Sequence, residues 1–221
     1  MSAARSAILD GVRAAIGHAG VVAPADGGRA QTVPSRACPA RPVAAFAENA
    51  ERAGCTVMRV ADVNAVPEAV AAYLARHHLP AAVRCAPEPF LETIPWPRRS
   101  ALAIETGPVR DGDRVAITAA AVGVAETGTL VLISGPDRAV LNAFLAEAHI
   151  VILRSGDVVG SYEESWARLG GAGADEDWPP RTVTWITGPS RTADIEQTLM
   201  VGVHGPRHVH VIVVGDEEEE A

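Results

Sequence analysis

The sequence predicts an α/β fold in which a mostly parallel, open sheet carries helices on both faces. Apolar residues at helical spacing alternate with short β-branched runs, first over residues 43–60 and again over residues 67–85. Strands that are separated by helices join a parallel sheet whose two faces are both covered. Aromatic residues make up only 4% of the chain, so small aliphatic side chains must fill the interior. This composition favours closely packed layers.

Local patterns indicate where the helices and strands lie. Val43 and Phe46 mark a helix that Gly54 ends, and Pro67 opens the next helix. Runs rich in Val, Ile and Thr predict strands at residues 56–60, 81–85, 115–124, 129–133, 149–153, 182–187 and 209–214. Further helices are expected over residues 2–18, 134–145 and 158–169, and a proline-rich crossing loop over residues 86–100.

Composition divides the chain into three predicted parts. They are an N-terminal helix and flexible linker over residues 1–42, an α/β domain over residues 43–215, and a disordered acidic tail over residues 216–221. The formal net charge is −8, and the tail holds five of the acidic residues. No basic stripe with interleaved aromatic residues is visible, so nucleic acid is not an expected partner. No apolar run is long enough for a membrane span or a signal peptide, which predicts a cytoplasmic protein.

Lysine is absent from the chain, and all 19 basic residues are arginine. A lysine Schiff base, a lysine-bound pyridoxal phosphate and a P-loop lysine are therefore excluded. Cys38, Cys55 and Cys85 stand apart and form no Cys-x-x-Cys pattern, so neither a zinc site nor an iron–sulfur cluster is indicated. No flavin or nicotinamide motif is visible either. We therefore expect no bound cofactor and no metal.

The polar stretch over residues 188–206, which lies between apolar runs, is the strongest candidate for a functional site. A Gly-Pro pair ends the preceding strand, and Ser190 or Thr192 can cap a following helix. The free N–H groups and the dipole of a helix start attract anions, so Arg191 beside them can clamp a carboxylate or a phosphate. Asp194 in the first turn leaves a second interpretation open, a capped helix with solvated acids.

A second candidate is the segment Ala125-Glu126-Thr127-Gly128, which joins two β-rich runs. A carboxylate next to apolar strands must be desolvated, paired or directed into a cleft, as is typical of functional sites. Alternatively, Glu126 points to water in a plain turn, and Gly128 supplies an unusual backbone angle. We expect this turn and the helix start at Ser190 to face one cleft, because both lie at the ends of adjacent strands.

Three segments together resemble the lactate utilization protein C family, which carries the LUD domain. They are residues 118–129 (TAAAVGVAETGT), 188–196 (GPSRTADIE) and 202–206 (GVHGP). The likeness extends roughly from Phe46 to Val214. It implies a fold similar to the NagB, ribose-5-phosphate isomerase and CoA-transferase superfamily. It also implies a role in the oxidation of L-lactate to pyruvate alongside two partner proteins, one of which carries iron–sulfur clusters.

This resemblance gives the candidate residues expected roles. Arg191 and the helix start would bind the carboxylate of a 2-hydroxy acid, and Glu126 or His204 would handle the hydroxyl proton. His204 is the better base, because an imidazole titrates near neutral pH. The expected ligand-binding residues are Thr127, Gly128, Ser190, Arg191, Thr192, Asp194 and Gly205.

Two alternatives remain open. In the first, the chain is a non-catalytic assembly or regulatory subunit that senses a carboxylate or a CoA-like ligand. In the second, which rests on fold analogy alone, Glu126 is the nucleophile of a CoA-transferase-like acyl transfer. Because no redox group is visible, the chain is not expected to oxidise lactate without the iron–sulfur and other subunits of the system.

Overall fold

The computed structural model describes residues 3–16, 39–96, 102–172, 180–192 and 200–215. The chain forms two compact units, residues 1–34 and 35–221. The first unit contains helix α1 (Ala3–Ile16), which matches the helix expected there. Its side chains Ile8, Leu9 and Val12 are exposed. None of the described helices is long and apolar enough to span a membrane.

The second unit contains the other helices and strands of the described ranges. Its helices are α2 (Pro42–Arg52), α3 (Val66–Arg76), α4 (Pro89–Glu92) and α5 (Tyr162–Ala172). Its strands are β1 (Thr56–Val60), β2 (Ala82–Cys85), β3 (Ala103–Thr106), β4 (Val115–Ala119), β5 (Val122–Val124), β6 (Thr129–Ile133), β7 (Ala148–Arg154), β8 (Val158–Val159), β9 (Val183–Ile186), β10 (Arg191–Thr192), β11 (Met200–Val201) and β12 (His208–Val214). Short 3-10 segments lie at Val63–Ala65, Val140–Ala143 and Ser155–Asp157.

Six parallel strands form the main sheet, in the order β1-β12-β7-β4-β2-β3. Side chains alternate between the two faces along each strand, and β7 shows this directly. Ile150 and Ile152 pack with α3 on one face, whereas Val151 and Leu153 pack with Phe46 of α2 on the other. Helices therefore cover both faces, which confirms the predicted α/β fold.

A second, mixed sheet has the strand order β8-β5-β6-β9. The prediction of one strand over residues 115–124 is wrong, because this run divides between the two sheets. The N–H of Ala120 donates to Ile152 O of the main sheet at 2.9 Å. The N–H of Ala121 donates to Val131 O of the second sheet at 2.8 Å. The backbone thus passes from one sheet to the other between two consecutive residues.

Two predicted helices differ from the structure. Only a 3-10 segment forms within residues 134–145, and residues 158–159 pair with β5 as strand β8, so that α5 begins later than expected. Ser190 does not cap a helix, because the two residues after it form β10 and pair with β11, and the alternative helix after Thr192 lies outside the described residues. Asp194 and its neighbours over residues 193–199 lie outside the described residues, as do the acidic tail and most of the expected linker.

Candidate functional site

Glu126 lies in the turn between β5 and β6, as expected. Its N–H donates to Gly160 O at 3.1 Å, and its carboxylate accepts a hydrogen bond from the Tyr162 N–H at 3.2 Å. Tyr162 opens α5, so the half-buried carboxylate satisfies a free N–H group of that helix start and complements its dipole. Glu126 therefore stabilises the start of α5, a role that the sequence did not indicate.

Gly128, in the same turn, lies against helix α2. Its φ of +68° is in the left-handed region, and a Cβ there would stand 2.1 Å from the backbone N of Ala50. From the same helix, Asn49 Nδ2 donates to Ala125 O at 2.8 Å. Both the backbone angle and the close approach of α2 therefore require glycine at this position.

Four hydroxyl groups form a cluster beside this turn. Thr129 Oγ1 lies 2.7 Å from Thr127 Oγ1 and 2.7 Å from Thr187 Oγ1. The Tyr162 hydroxyl lies 2.9 Å from Thr129 Oγ1 and accepts from the Thr127 hydroxyl at 3.1 Å. Thr129 is completely buried. The cluster ties the second sheet to α5, and only Thr127 among its members was expected at a functional site.

Arg191 lies at the carboxyl end of α2. Its Nη2 donates to Ala53 O at 2.7 Å, and Ala53 is the residue that caps the end of that helix. Carbonyl groups in the last turn of a helix lack helical partners, and an arginine can satisfy them. The Arg191 guanidinium thus contacts the carboxyl end of a helix, and the helix start expected after Thr192 lies outside the described residues. A contact between Arg191 and a ligand carboxylate stays a prediction.

Ser190, His204 and Gly205 come together at the amino ends of β7 and β12, and we refer to them as the amino-edge group. The Ser190 N–H donates to Pro206 O, and Ser190 O accepts from the Gly202 N–H, both at 2.9 Å. A Cβ on Gly205 would stand 3.2 Å from Ser190 Cβ. The exposed His204 and the half-buried Gly205 line an open depression of about 460 Å³, together with Phe144, Leu145, Ala146, Glu147, Gly202, Val203 and Arg207.

The turn at Glu126 and the segment that begins at Gly188 lie at the same end of the second sheet. β6 and β9 are antiparallel neighbours, which brings the start of β6 beside the end of β9. Their hydrogen bonds form separate groups, because Glu126 bonds to α5 whereas Ser190 bonds to Gly202 and Pro206. Thr192 lies in β10. The single cleft expected to contain Glu126 and Ser190 stays a prediction.

A polar pocket that sequence reasoning missed lies at the carboxyl ends of β2 and β4. Glu88 there is only 5% exposed, and it accepts hydrogen bonds from the Ala119 N–H at 3.1 Å and from Arg138 Nε at 3.2 Å. Burial raises the pKa of Glu88, and the Ala119 N–H and Arg138 offset part of that rise. The available sequence signal was one acidic residue between Pro87 and Pro89, shortly after a strand. The pocket is also lined by Ala86, Thr118, Ser134, Val140, Ala143 and Thr184.

Thr118 connects this pocket to an imidazole in the core. Its Oγ1 lies 2.8 Å from His149 Nε2, and both residues are buried. Complete burial lowers the pKa of His149 to about 4, so the imidazole is neutral at neutral pH. The contact fixes the position of the Thr118 hydroxyl at the pocket wall.

In the part of the chain that the structure describes, the cysteines and acids do not form a recognisable metal site. Within the described ranges, no three His, Cys, Asp or Glu side chains gather as metal ligands do. Cys55 and Cys85 are buried free thiols, and burial raises their pKa values to about 11 and about 12. Cys38 lies outside the described residues.

Comparison with known proteins finds similarity over part of the chain. Residues 114–214 match the family model described as the LUD domain. This C-terminal part, just under half of the chain, is therefore similar to the LUD domain. It is 36% identical over 102 residues to Lactate utilization protein C of Bacillus licheniformis, an alignment that covers 46% of this chain and 42% of that relative. The protein of the same description from Deinococcus radiodurans is 36% identical over 101 residues, covering 45% of each chain. The aligned part is less than half of the length of either relative.

A solved structure supports the α/β fold described above. A DUF162 family protein from Deinococcus radiodurans superposes with a TM-score of 0.60 at 23% sequence identity. The match covers 80% of this chain and 98% of that chain. The range matched by the LUD model includes Glu126, Arg138, Ser190 and His204, whereas Glu88 lies before it.

Proposed function

We propose that this chain is one subunit of a lactate utilization system that oxidises L-lactate to pyruvate, and that it binds a small carboxylate or a related anion. The observation that carries the proposal is the 36% identity over 102 residues to Lactate utilization protein C. In this proposal, the electrons taken from lactate pass to an iron–sulfur partner subunit, as the family resemblance implies.

The amino-edge group is the first candidate for the ligand site. His204 and Arg207 line the same depression, so a proton acceptor and a cationic guanidinium are close to one open volume. We propose that His204 accepts the hydroxyl proton of a 2-hydroxy acid, while Ser190 and Gly205 provide hydrogen bonds. Arg191 can contact the ligand only with the part of its guanidinium that does not bind Ala53 O.

The second candidate is an assembly subunit without catalytic residues. The observation that favours it is the exposure of Phe144, Leu145 and Val203, three apolar side chains that line the same depression. Apolar side chains gathered on a surface mark protein contacts more often than chance. In this case the iron–sulfur subunit would cover them. Replacing Leu145 by Glu should then abolish co-elution with that subunit while leaving the melting temperature unchanged.

Reconstitution tests the proposed function. The purified chain, L-lactate and an artificial electron acceptor should give no turnover, and lactate-dependent reduction should appear when the iron–sulfur partner is added. Leaving out this chain from the complete mixture is the control. Turnover by the isolated chain, or an equal rate in the mixture that lacks it, would show that the proposal is wrong.

A further inference from the structure

The pocket at Glu88 lies where the connections of the main sheet change direction. β2 and β4 are parallel neighbours, with Cys85 beside Ile117. The chain that leaves β2 returns at β3, on the outer side of β2, whereas the chain that leaves β4 returns to the main sheet at β7, on the opposite side. In open α/β sheets, ligands bind outside the carboxyl ends of the strands at such a switch point. Glu88 follows the carboxyl end of β2, and Thr118 and Ala119 end β4.

The two charged side chains of this pocket differ in their exposure to solvent. Glu88 is 5% exposed, but the side chain of its partner Arg138 is 41% exposed. A buried ion pair adds little net stability, because desolvation offsets the attraction. Removing its cation would leave a buried carboxylate with a single hydrogen bond, from the Ala119 N–H. Arg138 therefore neutralises Glu88 while 41% of its own side chain stays exposed to solvent, where a ligand can reach it.

The size of the pocket limits the ligand. The free space between its side chains is about 20 Å³, which suffices for about one water molecule. A larger ligand fits only if the exposed Arg138 side chain moves away from Glu88. The walls carry the hydroxyl groups of Thr118, Ser134 and Thr184 and the small apolar side chains of Ala86 and Ala143. Such a wall suits a ligand of two or three carbons with a hydroxyl group and a charged end.

We infer that Glu88, Arg138 and Thr118 form a binding site for a short 2-hydroxycarboxylate. When the ligand binds, Arg138 gives up its hydrogen bond to Glu88 and contacts the carboxylate of the ligand instead. A guanidinium can bind a carboxylate through two parallel hydrogen bonds. The carboxylate of Glu88 then accepts a hydrogen bond from the ligand hydroxyl, and Thr118, fixed by His149, supplies a further polar contact. This inference rests on the proposed function only in the class of ligand, and it assigns that ligand to a site other than the amino-edge group.

Calorimetric titration of the full chain with L-lactate tests this site. Arg138→Gln should weaken L-lactate binding about 10-fold or more, because it removes a charge-assisted contact. Arg168→Gln is the matched control, since the Arg168 side chain is 44% exposed and pairs with Asp157 on the surface. It should change the affinity less than about twofold. Arg138→Lys keeps the charge without the planar fork and should bind with intermediate affinity, which separates ligand binding from a folding defect.

The hydroxyl contact has its own readout. The wild-type chain should prefer L-lactate to propionate, which lacks the hydroxyl group, by about 10-fold, and Glu88→Gln should reduce this preference. Equal L-lactate affinity of Arg138→Gln and the wild type would overturn the inference. Loss of binding in His204→Ala, with full binding in Arg138→Gln, would overturn it while supporting the amino-edge group. If the wild type bound no L-lactate, both this site and the carboxylate-binding part of the proposed function would be wrong.

Discussion

Arg191 Nη2 and the backbone oxygen of Ala53 are 2.7 Å apart, so a side chain from the polar stretch closes the carboxyl end of α2. Arg191→Ala should therefore lower the free energy of unfolding by about 1 kcal/mol, the usual value of one hydrogen bond. Urea denaturation measures this change. Arg52→Ala, which removes an exposed arginine from α2 itself, is the control and should change stability less. Equal stability of Arg191→Ala and the wild type would show that the contact contributes nothing.

Gly128 provides a prediction about the turn beside α2. Gly128→Ala should destabilise the fold by about 3 kcal/mol, because its φ of +68° disfavours a side chain and the new Cβ would stand 2.1 Å from a backbone atom. Gly156→Ala is the matched control, since a Cβ there would meet nothing within 4 Å, and it should change the free energy of unfolding by less than about 0.5 kcal/mol. A similar melting temperature for both variants would contradict the observed packing of the turn on α2.

His149 predicts how stability depends on pH. Its pKa is about 4 in the folded chain, against an ordinary value of 6.5, so between these values the unfolded chain binds a proton that the folded chain does not. Stability is therefore lost as the pH falls from 6.5 towards 4, at about 1.4 kcal/mol per pH unit for one such histidine. His210, whose pKa burial also lowers to about 4, acts in the same direction.

The contribution of His149 can be separated by substitution. The free energy of unfolding of His149→Gln should decrease less than that of the wild type between pH 6.5 and pH 5. Urea denaturation of both chains at the two pH values measures this difference. Parallel pH profiles for the wild type and His149→Gln would contradict the buried, neutral state of this imidazole.

Glu126 and His204 should differ in reconstituted lactate oxidation. If His204 is the base, His204→Ala should lower the rate about 100-fold, the lower range for a general base. Glu126→Gln should affect the rate less, because the Glu126 carboxylate accepts a hydrogen bond from the start of α5. Its main effect should be on the melting temperature. A larger rate loss in Glu126→Gln would exchange the two roles, and full activity of both variants would favour the assembly subunit.

The sequence predicted the regular parts of the fold because their patterns are local. The helix that begins near Val43, the strand at 56–60 and the final strand all lie where apolar spacing indicated. The division of residues 115–124 could not be predicted, since both halves have the same β-branched composition and only long-range pairing separates them. The pairing of β10 with β11 likewise overrode the local capping pattern at Ser190.

The candidate site was harder to predict than the fold. An unusual backbone angle at Gly128 was part of the alternative interpretation of this turn, and its φ of +68° agrees with that alternative, because a turn between two strands often needs glycine. Glu88 was missed because its importance depends on burial beneath Arg138, 50 residues further along the chain. A single-sequence pattern contains no information about such a pairing. The same limit applies to Thr118 and His149, which look like ordinary strand residues until their hydrogen bond is seen.

The chain passes from the main sheet to the second sheet between Ala120 and Ala121. This passage determines which side chains point inward in each sheet. Consecutive N–H groups bond to different sheets, so no spare residue separates the two ladders. Side chains alternate with a period of two, and inserting one residue at this junction would exchange the inward and outward side chains of one sheet. Gly123 lies so close to Leu153 that a Cβ would stand 2.7 Å from it. After such an insertion, a larger neighbouring residue would take the place of Gly123 against Leu153. The number of residues between positions 119 and 122 is therefore strictly constrained. Deletions or insertions there should be incompatible with this fold.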